Sequence, residues 1–187
     1  MNNLSFHITD IAANSFRAGA TRLELDIRET SGLITLRLSD NGCGMDAETV
    51  ARVTDPFYTT RTTRKVGLGL PFLIQNAEQT GGNVRISSQP GKGTEVTARF
   101  VSSHIDCPPW GNLPETIALL ICGTPDVNIC FSYRNDTLSF AVSTEDVRAA
   151  LEDLPLSHPQ VAAWLKEMIQ ENLRPGKPET TDPPGLA

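Results

Sequence analysis

The chain has 187 residues, of which 39% are hydrophobic and 20% are charged. This composition is typical of a soluble globular protein of one to one and a half domains, and it excludes a disordered or fibrous chain. The net charge is −6 and the sequence pI is near 5.0. Phosphate backbones favour clustered Lys and Arg, so a nucleic-acid partner is not expected.

Neither a membrane segment nor a secretory leader is predicted. The longest apolar runs, such as residues 117–122, fall far short of the roughly 18 residues that span a bilayer. The first residues lack a basic and then apolar leader. The four cysteines show no C-x-x-C spacing, so zinc and a disulfide framework are not expected. We therefore predict a cytoplasmic protein with reduced thiols and no membrane partner.

Apolar spacing predicts the elements of the first hundred residues. Residues 4–18 form a core-facing helix, which also carries a polar stripe of His7, Asp10, Asn14 and Arg17, a pattern that is usually a solvated face. Alternating apolar residues then predict two strand pairs, separated by a loop with a helix on either side. In chain order these are strands at 23–27 and 34–38, a helix near 47–53, a loop at 55–61, a helix over 71–80, and a hairpin at 84–100.

These elements predict an α+β fold, a two-layer sandwich in which one antiparallel or mixed sheet has helices on one face. We assign residues 1–103 to this domain. Residues 104–173 form an acidic accessory region that is predicted as a small α-β-β-α extension with a further helix. Its elements are a helix at 113–120, strands at 128–133 and 138–142, and helices at 144–154 and 159–173. The tail at 174–187 is rich in proline and is predicted to be disordered.

Five short motifs occur in one order along the first hundred residues. Alone, each is weak, because Asp40-Asn-Gly is typical of a hairpin turn and Gly67-x-Gly69 of a flexible linker. Chance does not readily produce all five in order. They are Asp10-x-x-x-Asn14, Asp40-x-Gly42-x-Gly44, Pro56-Phe-Tyr-Thr-Thr-Arg61, Gly67-Leu-Gly-Leu70 and Gly91-Lys-Gly-Thr94.

Together the motifs resemble the GHKL-type ATP-binding domain, which gyrase, large heat-shock chaperones, sensor histidine kinases and MutL-type ATPases share. Residues 10–22 and 40–45 are similar to the MutL pattern, and residues 55–61 with 66–70 to the histidine-kinase pattern. The resemblance covers residues 4–101. It implies a histidine-kinase-like ATPase fold that binds ATP and Mg²⁺, and it does not specify a substrate.

The resemblance assigns the adenine end of the site to four residues. Asp40 matches the carboxylate that accepts a hydrogen bond from the adenine amino group, and Thr94 matches a hydroxyl at the same end. Gly42 and Gly44 lack Cβ atoms where the ring lies against the backbone. Asn14 matches the magnesium ligand, a neutral oxygen donor.

The resemblance assigns the phosphate end to the second half of the motif set. The segment of Gly67, Leu68, Gly69 and Leu70 turns backbone N–H groups toward the phosphates, and the helix that follows adds its positive end. Arg61 and Lys65, with Arg64 between them, supply positive charge for a triphosphate. The alternative for these cations is a solvated loop.

Asp10 is the catalytic candidate and departs from the pattern. The family usually has glutamate there, which orients a water or an acceptor group beside the terminal phosphate. Aspartate shortens the reach by about 1.3 to 1.5 Å, and a misplacement of that order can cost about a hundredfold in rate. The sequence therefore predicts binding of ATP and leaves its turnover open. The alternative is a helix carboxylate that pairs with Arg17 or Asn14, and His7 is expected to be a surface or packing residue.

Two functions remain open. The first is an ATPase or protein kinase that acts in trans on a separate acceptor, because no segment upstream of Asp10 has room for a phosphoaccepting histidine, and the sequences around His104 and His158 do not resemble the acceptor motif. The second is an ATP-dependent switch with little turnover, read by a protein partner or by a second copy in a homodimer. The accessory region either contacts the partner when ATP changes the surface, or it only packs on its own hairpin.

Overall fold

The structure is a computed structural model that describes residues 3–53, 69–151 and 154–174. Its elements follow the predicted order, with boundaries that differ by a few residues. They are α1 (Leu4–Arg17), β1 (Arg22–Thr30), β2 (Leu33–Asp40), α2 (Ala47–Arg52), α3 (Gly69–Gln79), β3 (Asn83–Gln89), β4 (Gly93–Val101), α4 (Leu113–Gly123), β5 (Asn128–Asn135), β6 (Ser139–Ser143), α5 (Thr144–Ala150) and α6 (Pro159–Asn172). The predicted loop at 55–61 lies outside the described residues, as do residues 175–187 of the predicted tail.

The strands form one mixed sheet in the order β3-β4-β2-β1-β5-β6. Neighbouring strands are antiparallel except β1 and β5, which are parallel. Alternate residues of the strands point to one face, where Leu36 and Phe100 are completely buried. Helices α1, α3 and α4 pack over the sheet, and α6 packs on α4. The predicted α+β two-layer sandwich is confirmed.

Helix α1 is capped at its N-terminus and followed by a tight turn at its C-terminus. The Asn3 side chain accepts a hydrogen bond from the Phe6 N–H at 2.8 Å, and the Leu4 N–H donates to the Pro109 carbonyl at 2.9 Å. Both bonds satisfy donors that a helix N-terminus would otherwise leave open. After Arg17 the chain turns through Gly19, whose φ of +74° is in the region that favours glycine. The segment before α4 is thereby held against α1.

Residues 104–173 continue the sheet and the core of the first hundred residues. Eight residues of β5 pair with β1, from Asn128 opposite Arg22 to Asn135 opposite Glu29. Ile117 of α4 and Leu165 of α6 are fully buried in the same hydrophobic cluster as Leu25 of β1. The prediction that residues 1–103 form a domain separate from residues 104–173 concerns independent folding, and it stays a prediction.

Helix α5 is shorter than predicted. It begins with a capping box of two hydrogen bonds: the Ser143 side chain accepts one from the Asp146 N–H, and the Asp146 carboxylate accepts one from the Ser143 N–H. It ends at Ala150 rather than at residue 154. Pro155 disfavours helical geometry at Leu154, so a helix could not have included that residue. In the described ranges, no helix combines the length and the apolar character needed to cross a membrane.

Candidate functional site

The Asp40 side chain, at the carboxyl end of β2, is the centre of the candidate site. Its Oδ1 accepts hydrogen bonds from the Gly42 N–H at 2.8 Å and from the Thr94 N–H at 3.3 Å. Its Oδ2 accepts from the Ser15 hydroxyl of α1 at 2.6 Å. Three motif segments that lie far apart in the sequence thus meet at one carboxylate, and their donors fix its orientation.

The loop after Asp40 is tied to the end of α1. The Asn41 Oδ1 accepts from the N–H groups of Thr21 and Arg22, each at 2.9 Å. The Cys43 N–H donates to the Ala18 carbonyl at 2.9 Å. Because this loop leads from β2 into α2 and not into a paired strand, interpreting Asp40-Asn-Gly as a hairpin turn is wrong.

The glycines near Asp40 are required by close packing of the chain on itself. A Cβ on Gly42 would lie 2.8 Å from the Ala18 Cβ, and one on Gly44 would lie 2.0 Å from the Gln89 carbonyl oxygen. Gly93 has a φ of +96°, and its Cβ would meet the Asp40 carbonyl oxygen at 1.8 Å. Protein atoms therefore fill the space that these missing Cβ atoms leave. Contact of Gly42 and Gly44 with a nucleotide ring stays a prediction.

Thr94 is part of a hydroxyl pair with Ser88, a residue that the sequence analysis missed. The two hydroxyl oxygens are 2.9 Å apart, and Ser88 Oγ also donates to the Gly93 carbonyl at 2.9 Å. Because Ser88 has only one hydroxyl proton, Thr94 donates to Ser88, and its own lone pairs remain as acceptors. The available signal was the register of the second hairpin, in which Ser88 stands opposite Thr94.

The other end of the site lies between α1 and the start of α3. Asp10 and Asn14 are one turn apart on α1, and both are partly buried. A Cβ on Gly69 would lie 1.5 Å from Asp10 Oδ2, so the backbone of the glycine motif touches this carboxylate. Leu70 packs against the hydrophobic core. The structure therefore brings Gly69 to Asp10.

Five of the residues predicted at the phosphate end lie outside the described residues: Arg61, Arg64, Lys65, Gly67 and Leu68. Their assignment to the phosphates stays a prediction.

Asn14 already has one partner. Its Oδ1 accepts a hydrogen bond from the guanidinium of Arg17, one turn further along α1. An amide oxygen has two lone pairs, so one lone pair of Oδ1 remains for a cation or a further donor.

His7 is buried, with 2% of its surface exposed. Its Nε2 lies 2.8 Å from the Asn76 Nδ2 of α3. Burial lowers the pKa of the His7 imidazole, and the negative charge of Asp10 opposes that shift. The polar stripe on α1 is therefore not a solvated face: it contains a buried histidine followed by the partly buried Asp10 and Asn14.

Comparisons with known proteins agree with this geometry. Residues 3–103 match the family of histidine kinase-, DNA gyrase B- and HSP90-like ATPases, and the chain belongs to that family. It is 31% identical over 106 residues to the sensor histidine kinase YxdK of Bacillus subtilis, a match that covers 53% of this chain and 33% of YxdK. It is 38% identical over 93 residues to the sensor protein kinase FleS of Pseudomonas aeruginosa, covering 48% of this chain and 23% of FleS.

A solved structure shows the same fold. The crystal structure of the N-terminal domain of a DNA repair protein superposes with a TM-score of 0.56 at 14% identity, over 86% of this chain and 55% of that chain. The chain thus spans a third or less of the two kinases and about half of this structure. What the comparisons support is an ATP-binding, kinase-like domain.

Proposed function

We propose that the surface between α1, the end of β2 and the turn between β3 and β4 binds ATP with Mg²⁺. The adenine lies at Asp40 and the phosphates lie toward Asp10 and Gly69. The observation that carries the proposal is the three-donor support of Asp40 by Ser15, Gly42 and Thr94. A carboxylate held in this way is preorganised for one further hydrogen bond, because its donors leave lone pairs open in fixed directions.

The same geometry favours adenine over guanine. The 6-amino group of adenine donates to a carboxylate, whereas the 6-oxo group of guanine accepts and would face the negative charge of Asp40. The Thr94 hydroxyl adds a second acceptor at this end, because its proton goes to Ser88. We therefore expect ATP to bind more tightly than GTP.

Mg²⁺ fits the donor set at the phosphate end. The remaining lone pair of Asn14 Oδ1 is a hard, neutral oxygen ligand of the kind that suits a cation shared with phosphate oxygens. When bound, Mg²⁺ neutralises phosphate charge and makes the terminal phosphorus more electrophilic. Gly67, Leu68, Gly69 and Leu70 would supply backbone donors, and Arg61 and Lys65 positive charge.

The reaction we propose is phosphoryl transfer from ATP to water or to an acceptor on another protein. Asp10 would orient the attacking group beside the terminal phosphate. His7 is buried, and the sequences around His104 and His158 do not resemble the acceptor motif of sensor histidine kinases. An acceptor in trans is consistent with these positions.

The contact between Gly69 and Asp10 favours a second candidate, an ATP-dependent switch with little turnover. Because the Gly69 backbone lies against the Asp10 carboxylate, access to that carboxylate depends on the position of α3. A nucleotide that moves α3 would change the surface offered to a protein partner or to a second copy in a homodimer.

Calorimetric titration of the full chain with ATP, ADP and GTP, with and without Mg²⁺, tests the proposal. Phosphate release is then measured on the same sample. Magnesium-dependent binding of ATP with steady release supports an ATPase, and binding with little release supports a kinase that lacks its acceptor or a switch. Failure of ATP to bind, or equal affinity for ATP and GTP, contradicts the adenine assignment.

A further inference from the structure

A buried polar pair joins α1 to α3 outside the residues assigned to the nucleotide. His7 is 2% exposed and Asn76 is 6% exposed, and the His7 Nε2 and the Asn76 Nδ2 are 2.8 Å apart. The other ring nitrogen, His7 Nδ1, is buried and has no hydrogen-bond partner among the described residues. An unsatisfied buried polar atom destabilises a fold, which makes the contact of Nε2 with Asn76 the hydrogen bond that offsets the burial of the ring.

The same two helices touch at a second point, where Gly69 lies against Asp10. On α1, His7 precedes Asp10 by one turn, and on α3, Asn76 follows Gly69 by two turns. A single contact lets two helices rotate about it, whereas two separated contacts fix their angle. Leu73 and Ala77 of α3 are also fully buried, but apolar packing lacks the directionality of a hydrogen bond.

We propose that His7 is a positioning residue that, through Asn76, holds α3 in the place where Gly69 meets Asp10. It thereby sets the geometry of the phosphate end without touching the nucleotide. This inference rests on the proposed function, because it concerns the same site.

The arrangement requires a neutral imidazole. A protonated ring would carry an N–H on both nitrogens, so that Nε2–H would face the Asn76 Nδ2 donor and the amide would have to turn. Burial lowers the pKa of His7, and Asp10 is the charge that opposes this shift. Helices α3 and α4 and strand β2 pack on α1, and their charged side chains are Glu78, Glu115, Arg37 and Asp40. Of the charges in the described residues, Asp10 is the one that shifts the pKa of His7.

The sign of the pH dependence follows from the lowered pKa. The unfolded chain takes up a proton near the ordinary histidine pKa of about 6.5, whereas the folded chain does so only at lower pH. The His7 contribution to stability is therefore present above about pH 6.5 and declines as the pH falls toward the folded pKa. Acid should loosen α3 before it unfolds the sheet.

The test compares three variants of the full chain. His7→Gln keeps an amide near the position of Nε2 and does not titrate, while His7→Leu removes the polar contact. The matched control is Thr144→Val, which removes a buried hydrogen bond of 3.0 Å from the Ile129 N–H at the start of β5. Readouts are hydrogen exchange of the α3 amides without nucleotide, thermal stability, and affinity for Mg-ATP from about pH 5.5 to about pH 8.

We expect His7→Leu to accelerate α3 exchange and to weaken Mg-ATP binding, each about tenfold. Thr144→Val should lower thermal stability without either effect. His7→Gln should retain wild-type exchange and affinity near neutral pH, and it should lose the acid response of the wild type.

Two results would overturn the proposal: α3 exchange in His7→Leu no faster than in Thr144→Val, or an undiminished acid response in His7→Gln. If the wild type itself fails to bind ATP, the proposed function fails. The exchange data on the nucleotide-free protein still decide the role of His7 in that case.

Discussion

At the scale of single residues, the support of Asp40 predicts the effect of replacing it. Asp40→Asn keeps the shape of the side chain but removes its charge. It also turns an NH₂ group toward the Ser15 hydroxyl or the Gly42 N–H, which in the wild type donate to carboxylate oxygens. We expect ATP binding to weaken by about 1 to 3 kcal/mol because a charge-assisted hydrogen bond is lost. Calorimetry at neutral pH measures this change.

The control for Asp40→Asn is Ser15→Ala, which removes one supporting donor and keeps the carboxylate. It should reduce affinity less than Asp40→Asn, and thermal melts of both variants separate binding from folding. Unchanged ATP affinity in a folded Asp40→Asn protein would contradict the position given to adenine.

Asp10 should matter for turnover more than for binding. Asp10→Asn removes the carboxylate that would orient the attacking group, so phosphate release should fall by about a hundredfold or more. The affinity for ATP should change little, because the adenine contacts remain. Equal loss of affinity and rate would instead place Asp10 in binding.

A companion variant, Asp10→Glu, tests whether the short side chain of Asp10 limits phosphate release. Glutamate adds one methylene, and Gly69 already lies against Asp10 Oδ2, so the longer side chain must turn away from α3. Faster phosphate release would show that the short carboxylate limits the wild type. Slower release would show that the contact with Gly69 is tuned to aspartate.

Motif residues were predictable one by one, but their mutual contacts were not. Asp40, Thr94 and Gly42 stand out in the sequence, whereas Ser15 and Ser88 are ordinary serines until the fold places their hydroxyls beside Asp40 and Thr94. Burial of His7 was likewise hidden, because its stripe on α1 is polar and a second helix is needed to cover it.

At the scale of elements, the junction of α1 and α3 predicts that a side chain at Gly69 displaces the Asp10 carboxylate. The Cβ of Gly69→Ala would overlap Asp10 Oδ2, at 1.5 Å, and its three nearest atoms all belong to the end of the Asp10 side chain, which can turn aside. We expect a loss of stability of less than about 1 kcal/mol, below the range typical of overpacking against a fixed core, together with weaker ATP binding. Denaturant unfolding and calorimetry measure the two effects.

Gly123→Ala provides the matched helical control for Gly69→Ala. Gly123 is the last residue of α4, and a Cβ there meets no atom within 4 Å. This variant should be neutral or slightly more stable, because alanine favours the helix over glycine. A loss of stability in Gly69→Ala far beyond that in Gly123→Ala would contradict this expectation and show that α3 itself has to move.

Helices and hairpins were predictable because their signals are local. Spacing of three and four residues identified α1, and alternation identified the two hairpins. Boundaries were less predictable, as at the end of α5, which stops at Ala150 although the prediction continued to residue 154. Local patterns carry no information on which strand lies beside which.

At the scale of the whole molecule, the pairing of β1 with β5 predicts that residues 1–103 are not self-sufficient. Removing residues 104–187 leaves β1 as an open edge and uncovers apolar residues that Ile117 and Leu165 now cover. We expect the fragment to aggregate or to melt without a cooperative transition. Circular dichroism and gel filtration check this.

The full chain, which we expect to melt cooperatively, is the reference for the fragment. A fragment that melts cooperatively within about 5 °C of the full chain would contradict this expectation, and it would support a separate domain ending at residue 103.

The strand order could not be predicted from the sequence, because the parallel contact joins segments that are far apart in the chain and that no turn connects.

That long separation has a kinetic consequence. Asp26 of β1 accepts a hydrogen bond from the Ser132 hydroxyl of β5, across 106 positions of the sequence. During synthesis, β1 emerges from the ribosome long before its parallel neighbour, so one side of it stays without a partner while β2 to β4 assemble on the other. Non-local pairing of this kind slows folding and leaves an edge open to other chains. The nascent protein is therefore most vulnerable to misassembly in the interval before β5 is made.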